Sequence, residues 1–583
     1  NYLALMDCTS LKNVYSSKRK IFWFPALSAA GCVEEVHAIL SSIRKSVEIL
    51  VERVNRHFVL ILFDLYCMFL NVYDDLRNER GCLAFRDLER LSLVLMTQEM
   101  CEDRSDYFYY RLDRRIKHLF IDEFQDTSVI QWKVLEPIVA ELTAGLGTGE
   151  SPGSFFYVGD KKQAIFRFRR GESYLFDWVK DVFPEKITEK LLDVNYRSAG
   201  AIVSFVNQIF TYISKEKGYH YNSQVPYRAE EDGYIEILAV VDEEGQNTLF
   251  TLVSKKITEL YDHGYSYNDI AILVRKNDTA ERITRHLAQV GIPYISESKV
   301  KLFETESIRS CYHLLQYLNE LHEEIYLVNF LVSQVGGYHG ERLRELLRKK
   351  TLKPILKCID GNVRIKIEKL LDMVDIVSLP HLIQSIYTLF GFFDVYGDSH
   401  NLLKFLDIAH EYSKEYPQGL FSFLEYIKQE GNEISQAKEA LRDGVQVMTV
   451  HKAKGLEFEA VILPEITFDL SFNKNKGLLL FTYHDDTLLL DEVYITPTEK
   501  ERSYSDTLTR AFLYEAKRVE SDELNNLYVG LTRAKKALFL VGELKKRKYT
   551  HTWFNLILSS LNIGIDIDKI RAQGSMIIHT EGY

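Results

Sequence analysis

Two acids, Asp122 and Glu123, follow directly on the apolar run Leu119-Phe120-Ile121 and open the string Asp122-Glu123-Phe124-Gln125-Asp126. Acids at the end of a buried strand suit nucleotide hydrolysis. One carboxylate can hold Mg2+ while its neighbour orients and deprotonates the attacking water. A bare Asp-Glu pair is also what a solvated acidic turn looks like; the full string, running on into Thr127-Ser128, is more specific.

A second string reads Gly159-Asp160-Lys161-Lys162-Gln163-Ala164-Ile165-Phe166-Arg167-Phe168-Arg169-Arg170-Gly171. It sets five cations, Lys161, Lys162, Arg167, Arg169 and Arg170, around two aromatics. Cations for phosphates and rings for bases are what a groove for single-stranded nucleic acid needs. The competing reading is a solvated basic helix whose Phe residues face the core. Asn195-Tyr196-Arg197-Ser198 places a ring beside a guanidinium, able to stack an adenine and touch a terminal phosphate together. The same tetrapeptide offers Ser198 as the N-cap of the next helix. Thr449-Val450-His451-Lys452-Ala453-Lys454-Gly455-Leu456-Glu457-Phe458 passes from a strand into a polar, Gly-containing turn. Tyr528-Val529-Gly530-Leu531-Thr532-Arg533-Ala534-Lys535 ends a helix ahead of a strand. Taken singly, a His or Arg in either place is structural.

The elements that must position these strings alternate. Residues 1–115 read as mostly helical, with apolar spacing near 3.6 through 33–70 and 83–95. Strands are expected at 116–121, 155–158, 234–241, 269–275, 445–450, 460–463 and 537–541, with a helix near 249–261. Strands that end in charged or Gly-containing turns and feed helices predict a parallel α/β sheet. Residues 303–440 carry long helical stretches, so the second α/β unit is expected to be split by a helical insertion.

The chain has 583 residues and a formal charge of −11, with 72 Lys and Arg against 83 Asp and Glu. At roughly 150 residues per domain this length suggests about four domains. Hydrophobic residues at 46% and charged residues at 27% exclude a largely disordered chain. The acidic balance excludes a uniformly basic coat but not a local basic groove. Seven scattered cysteines without a C-x-x-C pair read as reduced, buried thiols of a cytosolic protein rather than a disulfide frame or zinc site. The apolar run 58–70 is too short and too charged to span a bilayer and reads as a core helix.

In order and spacing the five strings resemble motifs II to VI of the superfamily 1 DNA helicases of the UvrD/Rep type. Lys161-Lys162-Gln163, His451–Phe458 and Phe85-Arg86-Asp87-Leu88-Glu89 resemble the RecB/AddA branch most. The resemblance runs from about residue 83 to about residue 541; the helical insertion resembles the family only by position.

That resemblance implies an α/β fold of two RecA-like P-loop NTPase core domains with parallel sheets and helical accessory insertions. The first core would be partial at 116–190, and the second would comprise 191–300 and 441–545. A partial helical accessory domain (1–115), a helical insertion (301–440) and a C-terminal tail (546–583) would complete the chain. The implied cofactors are ATP and Mg2+. Asp122 would coordinate the metal and Glu123 would be the general base. Gln163 would sense the γ-phosphate, Tyr196 would stack on adenine, and Arg197 and Arg533 would reach the triphosphate. Gly455 and Glu457 would lie by the nucleotide. Phe166, Phe168, Arg169, Thr449 and His451 would contact single-stranded DNA. The implied activity is ATP-dependent 3′–5′ DNA translocation in double-strand-break repair and recombination. It implies a cytoplasmic setting, single-stranded and duplex DNA as partners, an AddB/RecC-like partner subunit, and no membrane.

Two departures from the family pattern stand out. No G-x-x-x-x-G-K-[ST] string occurs, and Gly145-Leu146-Gly147-Thr148-Gly149 lacks the following Lys and reads as a surface loop. The resemblance places the phosphate loop well before motif II, behind an accessory domain, and the residues ahead of Asp122 resemble part of that accessory domain only. Residues 542–583 show no complete nuclease signature, only Glu543-Leu544-Lys545. The chain is therefore expected to be the middle and later part of a larger helicase. The competing function is a non-enzymatic DNA-binding scaffold subunit; a P-loop ATPase for non-nucleic substrates would leave the aromatic–basic run without a purpose.

Overall fold

The computed structural model describes residues 33–96, 116–144, 153–183, 187–240, 248–296, 302–349, 354–416, 419–430, 443–467, 470, 472, 477–483, 490–544, 552–564, 570 and 575–582. The Gly-rich segment 145–149 lies outside them. The chain divides into two compact units, one of Asn1–Lys256, Asp269–Arg275 and Thr449–Tyr583, the other of Ile257–Asn268 and Lys276–Met448.

The first unit opens on α1 (Val33–Arg80), one continuous helix. The expected core helix at 58–70 is helical, but Phe58, Phe63, Tyr66, Met68 and Phe69 are all exposed. Only one side of α1 is engaged. Its C-terminal end holds α2 (Phe85–Met96) through buried Asp87, which accepts from the Tyr73 hydroxyl at 2.6 Å and the Ala84 N–H at 2.9 Å.

β1 (His118–Ile121) pairs in parallel with β2 (Ser154–Tyr157), covered by α3 (Val129–Ala144). The period-two alternation of a strand turns Leu119, Ile121, Phe155 and Tyr157 onto a core of Phe124, Trp132, Val139, Leu175 and Val179. It turns Phe120 and Phe156 outward, their rings 6.0 Å apart. β3 (Val194–Ala199) runs straight into α4 (Gly200–Lys217). Ser198 does not cap that helix: Ala199 takes the N-cap position, and the Ser198 hydroxyl donates to the Ala534 carbonyl at 2.7 Å. With its hydroxyl engaged there, the buried Ser198 side chain is satisfied without the helix N-terminus. β4 (Val225–Arg228) lies parallel to β3, and β5 (Tyr234–Val240) and β6 (Ile270–Val274) follow.

In the second unit β7 (Tyr294–Ser296) pairs in parallel with β8 (Val445–Thr449). Between them the described residues of 302–430 contain helices and no strand, packed on a core that includes Leu314, Phe330, Ile383, Phe405 and Phe423. The described residues of this stretch are helical, as their sequence predicts.

Back in the first unit, α5 (Val450–Ala453) is a single turn before β9 (Phe458–Leu463). An antiparallel hairpin of β10 (Leu479–Tyr483) and β11 (Leu490–Ile495) precedes the long helix α6 (Asp506–Leu531). β12 (Ala534–Glu543), α7 (Trp553–Ser560) and β13 (Ser575–Glu581) complete it. The strands stand in the order β13-β5-β12-β9-β6, with β12 central and almost wholly buried. β5, β12, β9 and β6 are parallel, as expected, and β13 joins antiparallel to β5. Among the described residues no helix is long and apolar enough to cross a membrane.

Candidate functional site

A cleft of about 390 Å³ opens in the first unit at the C-terminal end of α6. Gln163, Tyr196, Arg197, Glu457 and Arg533, drawn from four of the five strings, all line it, with Asn195, Gln224, Tyr528, Thr532 and Lys535 between them. Asn195 shapes the end of β3 by accepting from the N–H groups of Arg197 and Ser198, both at 3.0 Å. Arg197 donates to Glu457 at 3.0 Å, and Lys535 reaches the other oxygen of Glu457 at 2.8 Å. Lys535 and then Arg197 hold the Glu457 carboxyl below the usual carboxylate range. Gly455, at φ +83°, supplies the left-handed turn that returns the chain toward Glu457. It does not itself line the cleft.

Arg533 is 1% exposed. Its guanidinium donates to the carbonyls of Val529 (3.0 Å) and Leu456 (3.2 Å) and to the Thr532 hydroxyl (3.1 Å). Among the described residues no carboxylate pairs with it, and burial, together with Arg197, pushes its pKa down to about 10. A buried cation held only by neutral acceptors favours an anion. Tyr196 is 62% exposed, its ring centroid 4.7 Å from that of Tyr227.

Asp122 and Glu123 stand at the end of β1, outside the lining of the cleft. Asp122 is exposed and accepts from the Glu123 N–H at 2.8 Å. Glu123 is in the left-handed region at φ 51°, an uncommon conformation for a residue with a Cβ. Its carboxylate accepts from Gln125 and lies 3.3 Å from the Lys454 ammonium. The Lys454 side chain is buried and also pairs with Asp126, whose carboxyl burial raises despite that cation. Gln125 accepts from the Asp160 N–H at 3.0 Å, and Asp160 accepts from Gln163 at 3.2 Å. This chain of amides and acids connects the acid pair to the cleft. A Cβ at Gly159 would come 2.1 Å from the Gln125 side-chain oxygen, so a larger residue there would displace the Gln125 amide from the Asp160 N–H.

The rings of the aromatic–basic run form a cluster. Phe166 and Phe168 have centroids 5.8 Å apart, and His451 lies 6.2 Å and 5.5 Å from them. Arg169 sits over both rings, at 5.1 Å and 5.6 Å, and Lys454 lies 5.1 Å from Phe166. Phe168 is 66% exposed and is not a core residue. Burial first, then Arg275, pushes His451 down to about 4, so its ring is neutral at ordinary pH. Thr449 is buried at the N-cap of α5, ahead of His451.

The five cations of the run do not act alike. Lys161 pairs with Asp177, Lys162 with Asp160 at 2.8 Å, and Arg167 with Glu515 and Asp522. Of the five, only Arg169 and Arg170 lack an ion pair among the described residues. Three cations of the run are thus shared with carboxylates of the chain, whereas Arg169, the one that the resemblance assigns to single-stranded DNA, has no such pair among the described residues.

With this geometry in place, comparison with known proteins is decisive. Residues 191–374 and 394–544 match the UvrD-like helicase C-terminal domain family, and residues 62–184 match the UvrD/REP helicase N-terminal domain family. The chain belongs to the UvrD-like helicases. It is similar to bacterial proteins that are each named as one subunit of an ATP-dependent helicase/nuclease. In Alkaliphilus oremlandii the identity is 26%, over 86% of this chain and 46% of that protein. In Bacillus cytotoxicus it is 27%, over 85% and 45%, and in Alkaliphilus metalliredigens 25%, over 95% and 50%. The chain spans about half the length of these relatives.

In this UvrD-like helicase, Gln125, Asp126, Lys454 and Lys535 join the site without having been singled out from sequence. Each lies inside a quoted string or at its end, so the signal was present. What spacing lacked was the pairing of Lys454 with acids more than 300 positions away, 328 in the case of Asp126.

Proposed function

We propose that the chain carries the downstream part of an ATP-driven DNA motor of the RecB/AddA type, translocating 3′–5′ and acting in double-strand-break repair and recombination. The convergence of Gln163, Tyr196, Arg197, Glu457 and Arg533 on one cleft carries this reading. The ring cluster begins at Phe166, three residues past Gln163, so the two sites share one short segment.

The residues present fit a magnesium–nucleoside triphosphate. The buried guanidinium of Arg533 has no carboxylate of its own among the described residues, and exposed Asp122 has one carboxylate oxygen engaged by a backbone N–H. A single exposed carboxylate is compatible with Mg2+, normally held by one or two carboxylates and the phosphates. Bound there, Mg2+ would neutralise charge developing on the phosphates. In this reading Asp122 holds the metal and Glu123 takes the proton of the attacking water. Tyr196 stacks on the base, Arg197 and Arg533 bind the triphosphate, and Gly455 and Glu457 shape the nucleotide side. Phe166, Phe168, Arg169, Thr449 and His451 hold single-stranded DNA, with duplex DNA ahead of it. Residues 116–190 act as one RecA-like core, and 191–300 with 441–545 as the other. Because the relatives are named as parts of a multi-subunit helicase/nuclease, a second protein of the AddB/RecC kind is the proposed partner.

In a polypeptide that also carries a phosphate loop, Glu123→Gln is expected to cut ATP turnover by more than about a hundredfold, the scale of a lost general base. ATP binding should stay close to the parent, because the amide keeps the shape of the side chain. Turnover within about tenfold of the parent would remove Glu123 from that role. Failure of the parent to hydrolyse ATP would favour the scaffold reading.

A further inference from the structure

The loop that carries the ring cluster is fastened along one stripe of α6. Glu515, Arg518, Asp522 and Asn525 are spaced by three, four and three residues, which puts them on a single helix face. Glu515 takes a bidentate pair from Arg167 at 2.9 and 3.0 Å, and Asp522 accepts from Arg167 Nε at 2.5 Å. Arg518 donates to Glu172 at 2.6 Å, and Asn525 donates to the Ala164 carbonyl at 2.9 Å. One turn further on, Tyr528 lies beneath Lys162 and lines the cleft, and Arg533 follows the end of the helix.

Arg167 stands between Phe166 and Phe168 in one tight turn, closed by the Arg169 N–H on the Phe166 carbonyl and the Arg170 N–H on the Arg167 carbonyl, both at 2.8 Å. All three guanidinium nitrogens are held by two carboxylates, so the fork is not turned toward a nucleic-acid phosphate. The same anchorage fixes the rotation of the turn that brings Phe166 and Phe168 against His451.

We infer that Arg167 is a positioning residue: held by Glu515 and Asp522, it keeps Phe166 and Phe168 in place against His451 and ties that ring cluster through α6 to the cleft at Arg533. This rests on the single-strand reading of the ring cluster given above. The geometry needs a guanidinium. A lysine is a point charge and cannot satisfy both carboxylates in three directions.

The test is fluorescence anisotropy of a short labelled oligothymidine with residues 1–583 across a salt series. Arg167→Lys should weaken binding on the order of tenfold, the scale of one misplaced stacking ring. Arg167→Gln should weaken it with the log–log salt slope unchanged, since no phosphate contact is lost. Glu515→Gln with Asp522→Asn should also weaken binding, although removing two negative charges would by itself strengthen it. Parent affinity in Arg167→Lys, a slope reduced by about one in Arg167→Gln, or tighter binding in the Glu515/Asp522 variant would each overturn the inference. Should the double variant not fold, Arg167→Lys alone decides. Failure of the parent to bind the oligothymidine, or unchanged binding in Phe168→Ala, would instead remove the single-strand reading itself.

Discussion

Phe168 keeps two-thirds of its surface in solvent while its neighbours Phe166, Arg169 and His451 crowd its other side. A large apolar ring left exposed and ordered by a cation and two rings is a stacking platform. Phe168→Ala should therefore weaken single-stranded DNA binding by about 1–3 kcal/mol, the range for one lost stacked base. Its melting temperature should stay at the parent value; a drop in stability with unchanged DNA affinity would make the ring a core residue. At this scale residue types were legible and pairings were not. Arg167 and Arg169 are the same residue two positions apart, yet one is locked to acids on α6 and the other lies over rings. What separates them is a carboxylate 348 residues away, which no local pattern records.

The contact between α1 and β11 shows how far an element can be placed by one side chain. Asn55 is buried, donates to the Ile495 carbonyl at 2.8 Å and accepts from the Ile495 N–H at 3.0 Å. Its amide pairs with the edge of β11 as a neighbouring strand would. Asn55→Ala leaves both backbone groups unpaired, and urea unfolding should show a loss of roughly 1–3 kcal/mol. A loss below about 0.5 kcal/mol, typical of an open surface position, would mean water replaces the amide. The elements that alternation or continuous apolarity announced were legible: β5, β6, β8, β9 and β12 lie within a few residues of their expected positions. β7 is three residues long, the β10–β11 hairpin is polar on one strand, and β13 is half-exposed. These are too short or too mixed in pattern to be read without their partners. Ser198 misled for a related reason, because its carbonyl partner belongs to a strand 336 residues later.

At the scale of the molecule, the parallel sense of β5, β12, β9 and β6 and the helical stretch through 302–430 followed from the alternation of strand and helix signals, while the order of the strands did not. The gathering of four distant strings onto one cleft was legible only through the resemblance of their order to a known family. DNA-stimulated phosphate release, measured side by side on residues 1–583 and on a polypeptide that adds an upstream phosphate loop, bears most directly on the proposed motor. Phosphoryl transfer depends on positioning and charge neutralisation, and the loop supplies much of both. The expected result is no turnover by residues 1–583 with or without single-stranded DNA, and DNA-stimulated turnover by the longer polypeptide that is lost in Arg533→Ala. Turnover by the longer polypeptide that ignores DNA and survives Arg533→Ala, or turnover by residues 1–583 that disappears in Glu123→Gln, would contradict it.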